Sequence, residues 1–310
     1  MRLAATLLIL ASAALAQSPE QRAINYLARE APRWYFENRC YSCHNNGDAV
    51  RVLYLARSEH RKVPPEAFAG ETPWLNQPWR WDRNRPNPAF DDPKLAWIQF
   101  SAALTEATKT GAVRNPIPAV AAAGLVRIQA AGGSWPIVRA SDPASPATWG
   151  TPLATYMART ALESIDRKYF AAEIARSNDW FAAFEPASTF DAAVKLLALP
   201  RVKDLAPKLL EAQSLEGGWG PRPSEPPQAF DTAMVVLALQ KSRADPVSIR
   251  RGREYLIRLQ QPDGSWPETT RPPNRHSYAE HISTSAWAAQ ALFATDPKRW
   301  ARLAGGSGLF

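Results

Sequence analysis

Apolar residues follow two alternating patterns along this chain, and both predict helices. In the first, apolar residues recur every three or four positions, as in AAGLVRIQ, APKLLEAQ and GREYLIRLQ, which is typical of amphipathic helices. The second pattern is almost wholly apolar and predicts more deeply buried helices at 151–162, 190–199, 230–240 and 283–293. The two patterns alternate with a period of about 40 to 50 residues, which predicts stacked helical hairpins with an outer and an inner ring.

A spaced triplet recurs at the end of three amphipathic helices. It has the form Gln-x3-Gly-x-Trp and occurs as Gln129/Gly133/Trp135, Gln213/Gly217/Trp219 and Gln260/Gly264/Trp266. We expect each Gly to end its helix, each Trp to stack, and each Gln to bond an exposed helix end. The segment SNDW before the 190–199 helix is interpreted as a decayed triplet, and 23–34 with 47–57 as one more hairpin.

The triplets resemble the QW motifs of the squalene–hopene cyclase and oxidosqualene cyclase superfamily. REYLIRLQQPDGSW is similar to that motif through Tyr255, Leu256 and Gln260. The resemblance covers roughly 115–295 and, more weakly, 20–60. It implies an all-α, α/α toroid, the fold that these cyclases share with protein prenyltransferase β-subunits.

The chain divides into five expected parts. Arg2, an apolar run and Ala14-Leu15-Ala16 predict a secretory signal peptide at 1–16. An N-terminal hairpin at 17–64 and a helical-repeat region at 96–303 form one domain, joined by a Pro- and Trp-rich connection at 65–95. Residues 304–310 are a tail. The expected location is the periplasm or another exported compartment, with no membrane-spanning segment in the mature chain.

Cyclase chemistry would require a strong acid, and the matching segment lacks it. In the resemblance, an Asp-x-Asp-Asp-Thr-Ala motif supplies the acid, and its end matches Asp231-Thr232-Ala233, but Phe230 replaces the proton-donating Asp. Asp231 is then expected to cap its helix. Asp191 holds the equivalent position in the 190–199 helix. A prenyltransferase-like zinc site lacks a cysteine near Asp231 or near the loop that carries His276 and His281.

The two cysteines of the sequence stand together in RCYSCHNN. Cys40, Cys43 and His44 form the Cys-x-x-Cys-His pattern of covalent haem attachment. Two thiols at this spacing can add to the two vinyl groups of one haem c, and His44 then ligates the iron. The chemistry takes place outside the cytoplasm, where the signal peptide would send the chain. The alternatives are a disulfide, a redox dithiol, and a zinc site with a ligand such as His60.

The sixth iron ligand stays open. The candidates are Met157, Met234, His60, His276 and His281, or no residue at all. The Trp-rich stretch at 71–93 is interpreted either as a lid over the haem or as a strap that packs Trp74, Trp79 and Trp81 on the ring.

The net charge and its distribution bear on which classes of partner the protein could bind. The formal charge is +8 and the basic residues are scattered, which does not favour nucleic acid in an exported protein. Three hypotheses remain. The first is a haem protein that transfers electrons to a redox partner. The second is an enzyme or binding protein for an isoprenoid or other apolar ligand, with Asp231, Asp191 and His281 at the cavity mouth. The third is a repeat scaffold with a 40–43 disulfide.

Overall fold

The computed structural model describes residues 17–83, 92–137 and 142–297, and it confirms the all-α prediction. Within these ranges the chain forms helices and no β-strand. The expected signal peptide at 1–16 and the tail at 304–310 lie outside the described residues.

The α-helices are numbered here in chain order. They are α1 (Pro19–Glu30), α2 (Arg33–Asn38), α3 (Val50–Ser58), α4 (Glu71–Leu75), α5 (Pro93–Lys109), α6 (Ile117–Ile128), α7 (Gly150–Asp166), α8 (Ala171–Ala183), α9 (Thr189–Ala198), α10 (Leu205–Glu211), α11 (Ala229–Ser242), α12 (Pro246–Leu259) and α13 (Tyr278–Ala294). A π-helix, Cys43–Ala49, runs directly into α3, and 3₁₀ helices cover Pro65–Phe68 and Pro78–Arg83.

Six buried helical segments contact one another in a closed cycle. The π-helix with α3 packs against α5, and α5 against α7; α7 then packs against α9, α9 against α11, α11 against α13, and α13 against the π-helix. Residues at like positions meet: Ser283 Oγ lies 2.7 Å from Asp48 Oδ2, and Arg159 Nη2 lies 3.1 Å from Ala198 O. These neighbours are therefore parallel, and we call the end where the six segments begin the N-terminal rim. The cycle is compatible with the α/α toroid that the resemblance implies.

The three QW triplets build the same joint three times. In each, the indole Nε1 donates to a carbonyl in the last turn of the preceding outer helix: Trp135 to Leu125 at 2.9 Å, Trp219 to Leu209 at 2.6 Å, and Trp266 to Leu256 at 2.7 Å. The indole thus satisfies the exposed helix end, a role expected of the Gln. The Gly residues have φ of +91°, +94° and +96°, a conformation that favours glycine.

The Gln side chains tie each joint to the next outer helix. Gln129 Nε2 donates to Glu173 O of α8, and Gln213 Nε2 donates to Ser248 O of α12, each at 3.0 Å. The third, Gln260, donates to Pro19 O of α1 at 2.9 Å. Helix α1 therefore occupies the place of a following repeat, and the cycle closes between the two ends of the described chain.

Side chains fill the centre of the ring near the N-terminal rim. Trp149 and Trp287 meet edge to face with ring centroids 5.8 Å apart, and the Arg51 guanidinium lies 4.3 Å from the Trp287 ring centroid. Phe230 adds a third aromatic ring, 6.3 Å from Trp287. All four side chains are buried. These three rings and the Arg51 side chain therefore occupy part of the interior of the ring.

Two expectations about the repeats are corrected. SNDW lies inside α8 rather than at the corner after it, so it is not a decayed triplet. The apolar pattern did not predict α5, which starts within the expected connection and completes the inner cycle. Its buried face carries Gln99, Ser101 and Thr105, which interrupt the apolar run.

In the part of the chain that the structure describes, no helix is both long and apolar enough to cross a bilayer.

Candidate functional site

The Cys-x-x-Cys-His segment lies at the N-terminal rim, where α2 ends and the π-helix begins. Arg39 adopts φ of +56° and ends α2, which turns the chain toward the rim. Cys40 Sγ accepts a hydrogen bond from Trp34 Nε1 at 3.4 Å. Ser42 is the N-cap of the π-helix, and its hydroxyl accepts from the His44 backbone N–H at 3.2 Å. Both cysteines are partly buried and are not joined by a disulfide.

His44 has its two ring nitrogens in different surroundings. Nδ1 lies 3.4 Å from Ser283 Oγ and 3.9 Å from Cys43 Sγ, whereas Nε2 lies 3.6 Å from the same sulfur and is the nitrogen nearer to it. Burial lowers the pKa of His44 to about 4, so the imidazole is neutral at pH 7. A neutral imidazole with one nitrogen held and the other turned toward the cysteine loop is the form that ligates a metal.

A buried polar cluster lies next to the motif, where the π-helix packs against α4 and α5. We define it as Asn45, Asn46, Asp48, Glu71 and Gln99, all of which are buried. Gln99 Nε2 donates to Asp48 Oδ2 at 3.3 Å, and Asn46 Nδ2 donates to Glu71 Oε2. Burial raises the pKa of Asp48 to about 7 and that of Glu71 to about 8, so at neutral pH Asp48 is close to half-protonated and Glu71 is mostly protonated.

Sequence reasoning missed this cluster, although a signal was present. The run NNGD in residues 45–48 stands at the start of an otherwise apolar inner segment, where buried polar residues are uncommon. The π-helical conformation adds a second signal, because such segments frequently occur at functional sites. Four cluster oxygens have no hydrogen-bond partner among the described residues: Asn45 Oδ1, Asp48 Oδ1, Glu71 Oε1 and Gln99 Oε1.

Aromatic rings surround the cysteine loop. Tyr41, between the two cysteines, stacks on Trp74 with ring centroids 4.0 Å apart and on Tyr35 at 4.7 Å. Trp34, which donates to Cys40, stacks on Tyr278 at the start of α13 at 5.8 Å. These rings give the loop flat apolar neighbours on two sides.

The Trp-rich stretch packs as a strap where it is described. Trp74 and Trp81 are buried against the ring, and Trp79 is 54% exposed. Residues 84–91 of this stretch lie outside the described residues. The alternative interpretation of the stretch, a lid over a haem, stays a prediction.

Asp231 lies at the same rim but in a different environment. It is fully buried at the third position of α11, and Arg271 Nη2 donates to both of its oxygens, at 3.0 and 2.8 Å. Gln228 is the N-cap of α11, so the expected capping role of Asp231 is wrong. Burial raises the pKa of Asp231 to about 6, against the opposing effect of Arg271.

A cleft of about 360 Å³ opens beside this ion pair. Four prolines line it together with Arg271, Gln228, Arg222, Glu225 and Asp142; they are Pro143, Pro221, Pro272 and Pro273. Its volume is within the range of small-molecule sites.

Asp191 and His281 do not join Asp231 in one constellation. Asp191 takes the third position of α9, as expected, and its Oδ2 accepts from the Ala187 backbone N–H at 3.2 Å, which supports the helix start. His281 stacks on Tyr26 of the outer helix α1 with ring centroids 5.7 Å apart. Two residues along a helix point to nearly opposite sides, so His281 faces away from the side of Ser283 that contacts His44.

The residues expected as candidates for the sixth ligand of a haem iron lie far apart in the structure. His60 is exposed beyond the end of α3, and the helical segment from residue 43 to residue 58 puts it roughly 20 Å from the rim. It cannot share an ion with His44. His276 is exposed and pairs with Glu268 at 2.8 Å. Met157 and Met234 are buried in the second turn or deeper of α7 and α11.

In the described ranges, no group of three or more His, Cys, Asp or Glu side chains is arranged to hold a metal ion.

The sequence matches no known protein-family profile. A stretch of 58 residues is 36% identical to drimenyl diphosphate synthase of Streptantibioticus cattleyicolor, a terpene synthase. The matched stretch is 19% of this chain and 11% of that enzyme. Part of the chain is therefore similar to a terpene cyclase, in line with the family that the QW triplets resemble.

Proposed function

We propose that this chain is an exported c-type haem protein built on a terpene-cyclase-like helical ring. Cys40 and Cys43 carry the haem, and His44 is its proximal ligand. Each thiol adds across one vinyl group: a sulfur–carbon bond forms, and the thiol hydrogen goes to the other vinyl carbon. The addition consumes no oxidant, and the two part-buried thiols of this loop are the groups that it requires.

The arrangement of His44 carries the proposal. Its Nδ1 lies 3.4 Å from Ser283 Oγ inside the protein, and of the two ring nitrogens Nε2 is the nearer to Cys43 Sγ, at 3.6 Å against 3.9 Å. The lowered pKa keeps the ring neutral at physiological pH. A ligand nitrogen and an attachment sulfur therefore face the same side of the loop, as a haem held by both would need.

The surroundings fit a flat apolar group better than a small ion. Trp34, Tyr41, Trp74 and Tyr278 supply aromatic faces beside the loop. Haem, once bound, supplies one-electron chemistry at potentials set by its ligands, hydrogen bonds and burial. The chain's own residues hold the ligand nitrogen, partly exclude water and leave the loop accessible to a redox partner protein.

Cyclase chemistry has less support. Asp231 is held by Arg271 rather than by other carboxyls, and Phe230 stands at the position of the proton-donating Asp. A second candidate function is binding of an isoprenoid or similar apolar ligand in the proline-lined cleft. The 58-residue similarity to a terpene synthase favours it.

The test is expression of the full chain in a bacterial host that carries c-type maturation machinery. The expected result is a band that stains for haem after denaturing electrophoresis, with a Soret band and a mass increased by one haem. The double variant Cys40→Ala/Cys43→Ala should lose all three. Its matched control is Ser42→Ala, which keeps both thiols.

A colourless protein without added mass contradicts the haem proposal. A mass two hydrogens below that of the dithiol would then identify a 40–43 disulfide. Saturable binding of farnesol that Arg271→Met abolishes would support the cleft as the functional site.

A further inference from the structure

A hydroxyl and a carboxyl from distant parts of the chain meet behind His44. Ser283 of α13 lies 3.4 Å from His44 Nδ1 through its Oγ, and the same hydroxyl donates to Asp48 Oδ2 at 2.7 Å. Both residues are fully buried. The resulting chain of atoms runs from the imidazole through the hydroxyl to the carboxylate, and 239 residues separate His44 from Ser283.

The direction of these bonds sets the tautomer of His44. Above its pKa of about 7, Asp48 is a carboxylate and accepts the Ser283 hydroxyl hydrogen, so the Ser283 oxygen is left as an acceptor toward the imidazole. The nitrogen that faces it, Nδ1, is then the protonated one, and Nε2 keeps its lone pair. The opposite tautomer would place two acceptors, Ser283 Oγ and Nδ1, against each other.

Neighbouring helices hold both Asp48 and Ser283 in place. Asp48 Oδ2 also accepts from Gln99 Nε2 of α5 at 3.3 Å. Close packing holds α5 there, because a Cβ added at Gly47 would lie 3.0 Å from Gln99 Cβ. On the other side, the third QW joint fixes α13, since Ser285 Oγ accepts from the Trp266 backbone N–H at 3.0 Å.

We infer that Ser283 and Asp48 are positioning residues that hold His44 with Nδ1 protonated and Nε2 presented to the cysteine loop. The inference rests on the proposed function in one respect, because the ligand that Nε2 would bind is the haem of that proposal. The tautomer of His44 is set before any haem is bound, so the positioning role and the haem proposal can be tested separately.

The first measurement is the tautomer of His44 in the haem-free full chain, by ¹⁵N chemical shifts of the imidazole nitrogens. The variant His44→Gln identifies the His44 signals among the four histidines of the sequence. In the parent protein we expect the Nδ1–H form. In Ser283→Ala we expect a mixture in which the Nε2–H form rises, and in Asp48→Leu, which removes the acceptor for the hydroxyl, the same change.

Ser285→Ala is the matched control. It removes an equally buried hydroxyl two residues away on the same helix, but that hydroxyl serves Trp266 and not His44. The inference is overturned if Ser283→Ala keeps the parent tautomer, or if Ser285→Ala changes it as much.

The second measurement is the reduction potential of the haem-loaded protein. A hydrogen bond from Nδ1 makes an imidazole that ligates through Nε2 a stronger electron donor. Loss of such an outer partner typically lowers metal affinity or activity ten- to a hundredfold. A tenfold weaker preference for the oxidised iron corresponds to an upward shift of about 59 mV for one electron. We expect this shift in Ser283→Ala and not in Ser285→Ala.

The outcomes separate the two proposals. If haem never attaches but the tautomer depends on Ser283, the positioning role stands and the proposed function fails. If haem attaches and neither the tautomer nor the potential responds to Ser283→Ala, the proposed function stands and the positioning role fails.

Discussion

The three QW hairpins and the N-terminal sector, which comprises the π-helix, α3 and the polar cluster, both contribute inner segments to the ring, but different side chains stabilise them. Each QW joint uses one indole, one amide and one glycine, and each indole and amide has its partner. The N-terminal sector instead inserts a π-helix and a polar cluster whose oxygens are incompletely paired. Their buried acids also differ: Asp231 has Arg271 in a two-bond pair, whereas the Arg51 guanidinium stands 4.0 Å from Asp48. The repeated QW joints belong to the scaffold, and the candidate site lies in the segment that lacks such a joint.

The largest expected effect is on stability and tests the ion pair between Asp231 and Arg271 in the region of the QW hairpins. Arg271→Met leaves Asp231 buried without its counter-charge, which costs about 3–5 kcal/mol of unfolding free energy at pH 8. Urea unfolding measures it. Arg222→Met, in the same cleft but half-exposed, should lose at most about 1 kcal/mol. Equal losses in the two variants would show that the Asp231 pair is no more than a surface contact.

The second effect is a pH dependence. The folded pKa of Asp231 is raised to about 6 from 3.8, so the folded chain binds the proton more tightly than the unfolded chain. Stability from this group is therefore greatest below pH 4 and is lost as pH rises through 6, by about 3 kcal/mol at most. Unfolding of Asp231→Asn should lack this decline. Parallel pH curves for the two proteins between pH 4 and 6 would refute the shift.

The third effect tests the closure of the ring. Gly264 has φ of +96°, and an added Cβ would lie 2.2 Å from Arg22 O. Gly264→Ala should cost about 1–3 kcal/mol from the backbone alone, and amide exchange should speed up first in α1. Gly132→Ala is the control, because its added Cβ meets nothing within 4 Å. Unchanged exchange in α1 would mean that the third joint does not hold it.

The smallest effect tests whether the joints are equivalent. Trp135→Phe, Trp219→Phe and Trp266→Phe each remove an indole bond to a helix-end carbonyl, which costs about 1–2 kcal/mol. Thermal unfolding should rank the three within about 0.5 kcal/mol of each other. A much larger loss at one joint would break the equivalence that defines the regular region.

The sequence predicted the regular region far better than the irregular one. Local spacing is enough to find a joint, because Gln, Gly and Trp of each triplet lie within seven residues. The equal helix positions of Asp191 and Asp231 were predicted for the same reason. Helix α5 was missed because Gln99 and Thr105 break its apolar pattern; Gln99 donates to the buried Asp48, and the Thr105 hydroxyl donates to Ala102 O of its own helix.

The partners that define the candidate site depend on long-range packing. Arg271 reaches Asp231 from a loop 40 residues later, and Ser283 reaches His44 only because α13 closes on the π-helix. No local pattern carries such information. The Cys-x-x-Cys-His motif itself was recognised from spacing, and its attachment to haem stays a prediction.

The bond from Gln260 to Pro19 spans 241 residues and has a consequence for how the chain folds. Within the described residues, α1 can be locked by this bond only after the third joint has formed, and such distant contacts are slow to form. Until then, the cysteine loop lacks the wall that Tyr278 and Ser283 provide. The inner side of this loop is therefore among the last surfaces of the ring to be covered as the chain folds.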